Sequence, residues 1–361
     1  MNAAVKPTVR PADVEAREPR TIGAEEPVHD GYPGALLAHL DVSVVVPTWR
    51  RPDLLRTCLD ALVRQDYDPA RYEIVVCDDG PDDATRTTVD AFAAAQAGRG
   101  LAIRYVPVTA TQGPAGARNA GWRAARAPLI AFTDDDTQPA TDWLRAGVAA
   151  LQRADAAAGR IVVPLGDAPT DYERDASGLA RAEFATANAF VRRTLLAQTG
   201  GFDERFTAAW REDSDLQFTL LRAGAEVVRA DDALVVHPVR PARWGVSLSQ
   251  QKKSRYDALL FRKHPALYRQ RIASGPPLLY YAILCAALWV LVALLFDRAD
   301  VAAAAAAVWF VLTAGFCVYR LRGTRLSVAH MAEMAWTSVW IPFLSIYWRL
   351  NGAVRYRVWF L

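Results

Sequence analysis

The chain lacks the features that direct proteins to nucleic acid or to the secreted, disulfide-bonded class. It carries 42 Lys and Arg against 39 Asp and Glu in 361 residues, a formal net charge of only +3, and overall charge therefore gives no case for nucleic-acid binding. The four cysteines are scattered without a CxxC pair, which predicts buried, reduced thiols consistent with cytosol and membrane. The N-terminus has no apolar h-region, so we expect no signal peptide.

Hydrophobicity is instead concentrated late in the chain. Residues 1–40 mix Pro, Arg and Glu with little periodicity and are expected to be a largely disordered lead-in. After Pro276-Pro277 come two uncharged runs of 19 residues each, 278–296 and 301–319, about the length that crosses a bilayer as a helix. A third stretch, 328–348, is rich in Trp and Tyr and contains a charge and a central proline, which predicts an interfacial helix.

The placement of basic residues supports two membrane spans. Two spans put every basic cluster on the cytoplasmic side, whereas a third span would leave the last cluster outside. The sequence therefore predicts a protein of the inner (cytoplasmic) membrane whose soluble part faces the cytoplasm; the alternative is a buried core hairpin. The clusters are Arg262, Lys263, Arg269, Arg271, Arg320, Arg322, Arg325, Arg349, Arg355 and Arg357.

The part before the apolar runs alternates strand and helix patterns. Such βαβ alternation with fully apolar strands predicts an α/β domain over 41–272 with a mostly parallel, doubly wound sheet, followed by a membrane-associated region over 273–361. Predicted strands are 42–46, 72–77, 101–106 and 129–133, and predicted helices are 52–64, 83–97 and 116–125.

Polar clusters follow all four predicted strands. They are Pro47–Arg51, Asp78–Gly80, Thr109–Gly116 leading to Arg118, and Asp134–Asp136. Ligands of open α/β sheets bind beyond the carboxyl ends of the strands, and three adjacent carboxylates repel unless a cation holds them. Hard oxygen ligands suit Mg²⁺ or Mn²⁺, which indicates metal-dependent chemistry on a phosphorylated substrate. The alternative for the triplet is a solvated acidic loop.

A second acidic group opens a predicted helix further along. Glu212, Asp213 and Asp215 lie in its first turn, where the helix dipole alone favours one or two acids. His237 ends a later strand-like run; it can close a metal site, although a lone histidine is more often structural.

Taken together, these segments resemble family 2 glycosyltransferases of the GT-A fold, a nucleotide-diphospho-sugar transferase fold with a Rossmann-like mixed sheet. The resemblance covers about 42–240, and the motifs occur in the family's order. The matching segments are Val44–Thr48, Val75–Gly80, Gly116–Asn119, Phe132–Asp136 and Arg211–Leu216.

The resemblance implies a role for each motif. Asp79 would contact the nucleoside of a nucleotide-sugar donor, and Asp134 with Asp136 would hold Mn²⁺ or Mg²⁺ and the diphosphate. Asp213 is similar to the family's general base, with Glu212 as the neighbouring candidate, and His237 would assist the metal. The candidate donor-binding residues are Pro47, Thr48, Arg50, Asp78, Asp79, Arg118, Asp134 and Asp135.

One departure from the family narrows the expected reaction. Processive members carry a Gln-x-x-Arg-Trp motif near their membrane helices, and here Gln250–Tyr256 has different spacing and ends in Tyr. We therefore expect inverting transfer of a single sugar to a lipid-linked or membrane-proximal acceptor. The alternatives are a sugar-nucleotide pyrophosphorylase on a similar fold, disfavoured by the absence of its long glycine-rich basic loop, and a non-catalytic membrane scaffold, disfavoured by the intact acidic motifs. Sugar, nucleotide base, acceptor and oligomeric state stay open.

Overall fold

The computed structural model describes residues 40–360, so the predicted disordered segment 1–40 lies outside the described residues except for its last position. The strands are β1 (Val42–Thr48), β2 (Tyr72–Asp78), β3 (Ala102–Pro107), β4 (Leu129–Thr133), β5 (Gln138–Pro139), β6 (Ala156–Val162), β7 (Asn188–Arg192) and β8 (Val227–Val236). The helices are α1 (Pro52–Leu62), α2 (Asp83–Gln96), α3 (Pro114–Ala124), α4 (Trp143–Ala150), α5 (Asp171–Ala176), α6 (Arg193–Thr199), α7 (Glu212–Arg222), α8 (Val246–Gln250), α9 (Arg255–Lys263), α10 (Pro265–Arg271), α11 (Leu278–Leu295), α12 (Ala299–Leu321) and α13 (Val328–Arg355).

The strands form one eight-stranded sheet in the order β3-β2-β1-β4-β7-β6-β8-β5. The first four strands run parallel, as their alternation with helices predicts. β7 then pairs antiparallel with both β4 and β6, while β8 returns parallel to β6. The sheet is therefore mixed, and the sequence pattern alone predicted only its parallel half.

Proline explains two shifts between predicted and observed element ends. β1 continues through Pro47 to Thr48, because the ladder with β4 already ends at Val45 while pairing with β2 continues; a proline without an N–H is tolerated at such an edge. Helix α3 begins at Pro114, two residues before the predicted start at Gly116. Proline suits the first helical position because its missing N–H has no intrahelical partner there.

The sheet is covered on both faces, and β1 shows why its sequence is apolar throughout. Val44 and Val46 belong to one buried cluster, which includes Leu59 of α1, whereas Val45 belongs to a second cluster with Leu216 of α7. Successive side chains of a strand point to opposite faces, and each buried aliphatic side chain contributes about 1.5–3 kcal/mol. A strand buried on both faces therefore shows no polar alternation.

Two C-terminal helices are long and apolar enough to cross a membrane, judged by length and composition. They are α11 and α12, where the sequence predicted spans at 278–296 and 301–319. Helix α13 is seven residues longer than the predicted 328–348 and passes through Pro342. Cys58 and Cys77 are buried as predicted, but the prediction was wrong for Cys285, which is exposed because α11 presents apolar side chains outward over much of its surface.

The end of the chain packs back against the sheet domain. Tyr356 and Phe360 share a buried cluster with Phe218 of α7 and Tyr256 of α9. Helix α13 approaches α9 closely at Gly352, where an added Cβ would lie 2.4 Å from the Arg255 carbonyl oxygen.

We therefore expect Gly352→Ala to destabilise the chain. The new methyl group meets backbone atoms of Arg255 rather than a flexible side chain, and such overpacking costs about 1–3 kcal/mol. Thermal unfolding of the detergent-purified protein would show a lowered midpoint. Gly315→Ala in α12 is the matched control, because no atom lies within 4 Å of its added Cβ. Equal midpoints for the two variants would show that the approach of α13 to α9 is not tight.

Candidate functional site

The predicted site residues meet at the carboxyl edge of the parallel strands. Thr48 ends β1, the aspartate triplet follows β4, and Glu212 opens α7. His237 follows β8, and its Nε2 lies 3.5 Å from Asp136 Oδ1. The tertiary structure thus joins segments that are almost 190 residues apart in the sequence.

The middle aspartate of the triplet points into the protein. Asp135 is 1% exposed, and its Oδ2 accepts a hydrogen bond of 2.7 Å from Thr48 Oγ1. Its Oδ1 lies 3.0 Å from Arg51 Nη2. Burial raises the pKa of Asp135 to about 7, although Arg51 and Thr48 act in the opposite direction. Asp135 and Thr48 therefore brace the strand end, although the resemblance implied that both contact the nucleotide sugar.

The outer two aspartates form a group that can hold a metal. One ligand atom each from Asp134, Asp136 and His237 lies within 4.8 Å of the others. Two carboxylates and an imidazole are ligands that Mn²⁺ accepts, and carboxylates also suit Mg²⁺. The donor set and its spacing therefore fit a divalent cation.

Two arginines that the sequence analysis did not assign to the site also approach this group. Arg240 Nε lies 3.0 Å and Arg51 Nη1 lies 3.8 Å from Asp136 Oδ2. Arg51 follows the predicted Arg50, and Arg240 lies three positions after His237. Those positions are the only signal in the sequence, because what gives the arginines a role is the meeting of β1, β4 and β8.

Arg118 connects the metal-binding group to the second acidic pair. It is 4% exposed, and its Nη2 lies 2.6 Å from Asp134 Oδ1 while Nη1 lies 3.5 Å from Glu212 Oε1. Burial opposes ionisation of Asp134, but Arg118 and His237 outweigh it, so the pKa of Asp134 lies below its usual value. Arg118 was predicted to contact the nucleotide sugar; the structure occupies two of its nitrogens with carboxylates.

Glu212 and Asp213 differ in their surroundings. Glu212 is 3% exposed, and burial, reinforced by Asp213, raises its pKa to about 8. Asp213 is partly exposed, and its Oδ1 accepts a 2.5 Å hydrogen bond from Thr186 Oγ1. Burial also raises the pKa of Asp213, with Arg118 and Thr186 acting against it. Asp213 is the carboxylate that faces the cleft, and Thr186 is its previously unassigned partner.

The start of α7 is held by a network outside the cleft. Arg211 adopts a left-handed backbone conformation with φ of 73°, which is uncommon for a residue with a side chain. Its Nε donates to Asp257 Oδ1 at 2.6 Å, and Arg349 Nη1 lies 3.4 Å from the other oxygen of Asp257. Asp215 binds Lys263 Nζ at 2.7 Å, so this third acid of the turn anchors α7 to α9.

The remaining predicted residues divide between internal and accessible positions. Asp78 is fully buried and accepts hydrogen bonds from the backbone N–H groups of Gly80 and Asp82 and from the Tyr105 hydroxyl. Asp79 is partly exposed and accepts from Gly113 N–H at 2.8 Å; burial raises its pKa.

The first strand end shows the same division. Pro47 lies inside β1. Arg50 is exposed beside it, with φ of 51°. Of the accessible candidates, Asp79 and Arg50 are therefore the ones oriented toward a ligand at the strand ends.

The fold and site define an α/β protein with a metal-type acidic group and a separate carboxylate beyond the strand ends. Two family models match such a chain: Glycosyl transferase family 2 over residues 43–214, and Glycosyl transferase family group 2 over residues 129–348. The second match covers more than half of the chain.

Individual relatives agree with the family models. Glycosyltransferase AglE of Haloferax volcanii is 28% identical over 213 residues, which are 55% of this chain and 67% of that protein. Validoxylamine A glucosyltransferase of Streptomyces hygroscopicus subsp. limoneus is 27% identical over 285 residues, 65% of this chain and 59% of that protein. The chain thus spans roughly six tenths of the length of these relatives.

A solved structure shows the same fold. The mannosyltransferase PcManGT from Pyrobaculum calidifontis, determined with GDP-Man and Mn²⁺, superposes with a TM-score of 0.52 at 21% identity. The match covers 86% of this chain and 87% of the other. The expected GT-A fold is confirmed, and the chain belongs to the family 2 glycosyltransferases. It is a glycosyltransferase enzyme, which disfavours both the pyrophosphorylase and the scaffold alternatives.

The raised pKa of Glu212 has a consequence for stability. Its carboxyl binds a proton more tightly in the folded chain (pKa about 8) than at its ordinary value of 4.5. Folding stability from this group is therefore lost as pH rises from about 4.5 toward 8. We expect Glu212→Gln, which cannot ionise, to raise the thermal midpoint relative to wild type more at pH 8 than at pH 5.

Glu226→Gln, at an exposed position, is the matched control and should shift the midpoint equally at both pH values. A midpoint difference for Glu212→Gln that does not change with pH would show that Glu212 is already ionised in the folded chain, held so by Arg118.

Proposed function

We propose that the chain transfers one sugar from a nucleotide-sugar donor to a hydroxyl group of a lipid-linked or membrane-proximal acceptor, with inversion at the anomeric carbon, in cell-envelope glycan or glycolipid synthesis. The observation that carries the proposal is the division of the site by Arg118. On one side lies the metal-type group of Asp134, Asp136 and His237, and on the other lies Asp213.

The donor side suits a nucleoside diphosphate. Asp79 is placed at the end of β2 to accept hydrogen bonds from the nucleoside, and Arg50 and Arg51 extend from the end of β1. Arg240 adds a cation beside Asp136. The GDP-Man bound by the mannosyltransferase of similar fold supports a donor of this class. We leave the nucleotide base and the sugar open.

The residues of the metal-type group fit Mn²⁺ or Mg²⁺, held by Asp134, Asp136 and His237. When bound, such an ion supplies positive charge that stabilises the nucleoside diphosphate as a leaving group. The protein contributes the orientation: Arg118 fixes Asp134 at 2.6 Å, and His237 lies against Asp136.

Asp213 is the proposed general base. It removes the proton of the acceptor hydroxyl while that oxygen forms its bond to the anomeric carbon, and the bond from the anomeric carbon to the diphosphate oxygen breaks. A single displacement of this kind inverts the configuration. A carboxylate whose pKa burial has raised is a better proton acceptor near neutral pH than an exposed one.

The C-terminal helices supply the proposed membrane association. We propose that residues 41–272 form the glycosyltransferase domain and residues 273–361 the membrane-associated region, with α11 and α12 crossing the bilayer and α13 lying at its surface. Trp336, Trp340 and other large apolar side chains of α13 are exposed, as expected for a helix in an interface. The glycosyltransferase domain would face the cytoplasm at the inner membrane, the side that the basic clusters favour.

Nucleotide binding tests the donor site. We expect calorimetric titration with UDP, GDP and dTDP to show Mn²⁺-dependent binding of one of them, weakened at least about tenfold in Asp136→Ala, a loss of about 1.4 kcal/mol. Asp232→Ala is the matched control, because Asp232 is exposed on the strand that precedes His237. Binding that is absent from folded wild type, or unaffected by Asp136→Ala, would refute the proposed donor site.

The base is tested separately from the donor site. Asp213→Asn should leave Mn²⁺-dependent nucleotide binding within about twofold of wild type but lower sugar transfer into a membrane lipid extract by about 10²- to 10⁴-fold, the contribution of general base catalysis. Glu212→Gln should lower transfer less, because Glu212 is buried against Arg118. A larger loss in Glu212→Gln than in Asp213→Asn would reverse the assignment.

A further inference from the structure

The last turn of α12 contains a buried arginine that the proposed reaction does not use. Arg320 is 5% exposed, although it lies at the end of one of the two membrane-length helices. A buried guanidinium requires a carboxylate and further hydrogen-bond acceptors to compensate for lost water. Its partners therefore show what the position is for.

The partners of Arg320 come from two other elements. Its Nη2 and Nε lie 2.7 and 3.2 Å from Asp171 Oδ2, at the start of α5 in the sheet domain. Its Nη1 donates to Thr337 Oγ1 at 2.7 Å and to Ser338 Oγ at 3.1 Å, both on α13 and both fully buried. One side chain thus joins α12, α13 and the sheet domain.

Other contacts hold α5 against the same place. Arg174 Nη2 donates to the Arg320 carbonyl oxygen at 3.1 Å, which satisfies an acceptor at the end of α12. The N–H of Arg325 donates to the Pro169 carbonyl oxygen at 2.9 Å, and the N–H of Asp171 donates to His330 Nε2 at 3.4 Å. Helix α5 is therefore attached to the ends of both helices by side-chain and backbone bonds.

The segment that carries α5 leads directly to the proposed base. Residues 163–187 connect β6 to β7, and near the end of this segment Thr186 donates its 2.5 Å hydrogen bond to Asp213. Between the two points the segment packs by a small apolar cluster that includes Leu179, Ala182 and Ala185. Fifteen residues separate the contact with Arg320 from the contact with Asp213.

We infer that Arg320 is a positioning residue: by binding Asp171, it fixes segment 163–187 to α12 and α13 and thereby sets the place of Thr186 and Asp213 relative to a membrane-borne acceptor. The inference rests on the proposed function of Asp213. It concerns the acceptor side alone, since among the described residues Arg320 makes no hydrogen bond or ion pair with Asp134, Asp136 or His237. A displacement of about 1 Å at a reacting group can lower a rate by about 10²-fold.

The test separates positioning from general stability by using a double variant of the full chain in lipid nanodiscs. Arg320→Gln and Asp171→Asn each leave one buried charge without its partner and should lower the thermal midpoint. The double variant Arg320→Gln/Asp171→Asn removes both charges and should regain most of that midpoint. Arg298→Gln is the control, because Arg298 pairs with Asp300 at an exposed position between α11 and α12.

In the double variant we expect three results. Mn²⁺-dependent binding of the nucleotide that wild type binds stays within about twofold; amide hydrogen exchange across residues 177–187 becomes at least about tenfold faster, as local attachment is lost; and sugar transfer into a membrane lipid extract falls about 10- to 100-fold. Arg298→Gln should match wild type in all three.

Other outcomes would overturn the inference. A stable double variant with wild-type exchange and transfer shows that Arg320 positions nothing. A double variant that also loses nucleotide binding, or does not fold, shows that the arginine supports the whole fold. A wild type that binds no nucleoside diphosphate contradicts the proposed function itself, which distinguishes the two failures.

Discussion

The buried guanidinium of Arg118 is the interaction on which the candidate active site depends. It lies between Asp134 of the metal-type group and Glu212 at the start of α7, and at 4% exposure it has little water to replace either partner. Removing a buried charge leaves its partners uncompensated, which costs more than the pair itself contributes. The relative position of the donor side and the acceptor side is therefore fixed by one side chain.

The same arrangement separates the acidities of neighbouring carboxyl groups. The pKa of Asp134 lies below its ordinary value, whereas those of Glu212 and Asp213 lie above theirs. Burial acts on all three, and the difference follows from how closely each approaches Arg118 and from the repulsion between the adjacent acids. Groups whose surroundings shift their pKa values apart are suited to different tasks: here, holding a cation and accepting a proton.

The acidic side of the cleft is also tied to the C-terminal helices. Arg211 before α7 and Arg349 in α13 share Asp257, while Arg320 joins α12 and α13 to segment 163–187. Both connections end beside Asp213, through α7 in one case and Thr186 in the other. The membrane-length helices and the proposed base therefore belong to one packed assembly, which suits an acceptor presented at a membrane surface.

The sequence by itself determined the parallel half of the sheet, the two membrane-length helices and the acidic motifs, because periodicity, apolar length and adjacent carboxylates are local properties of the chain. It did not determine the antiparallel pairing of β7 or the roles of Arg51, Thr186 and Arg240. Nor did it show that Asp78 and Asp135 point inward, since two aspartates in one motif are identical as sequence. Only the tertiary structure decided these points, because burial and charge pairing arise between segments that meet only after the sheet has formed.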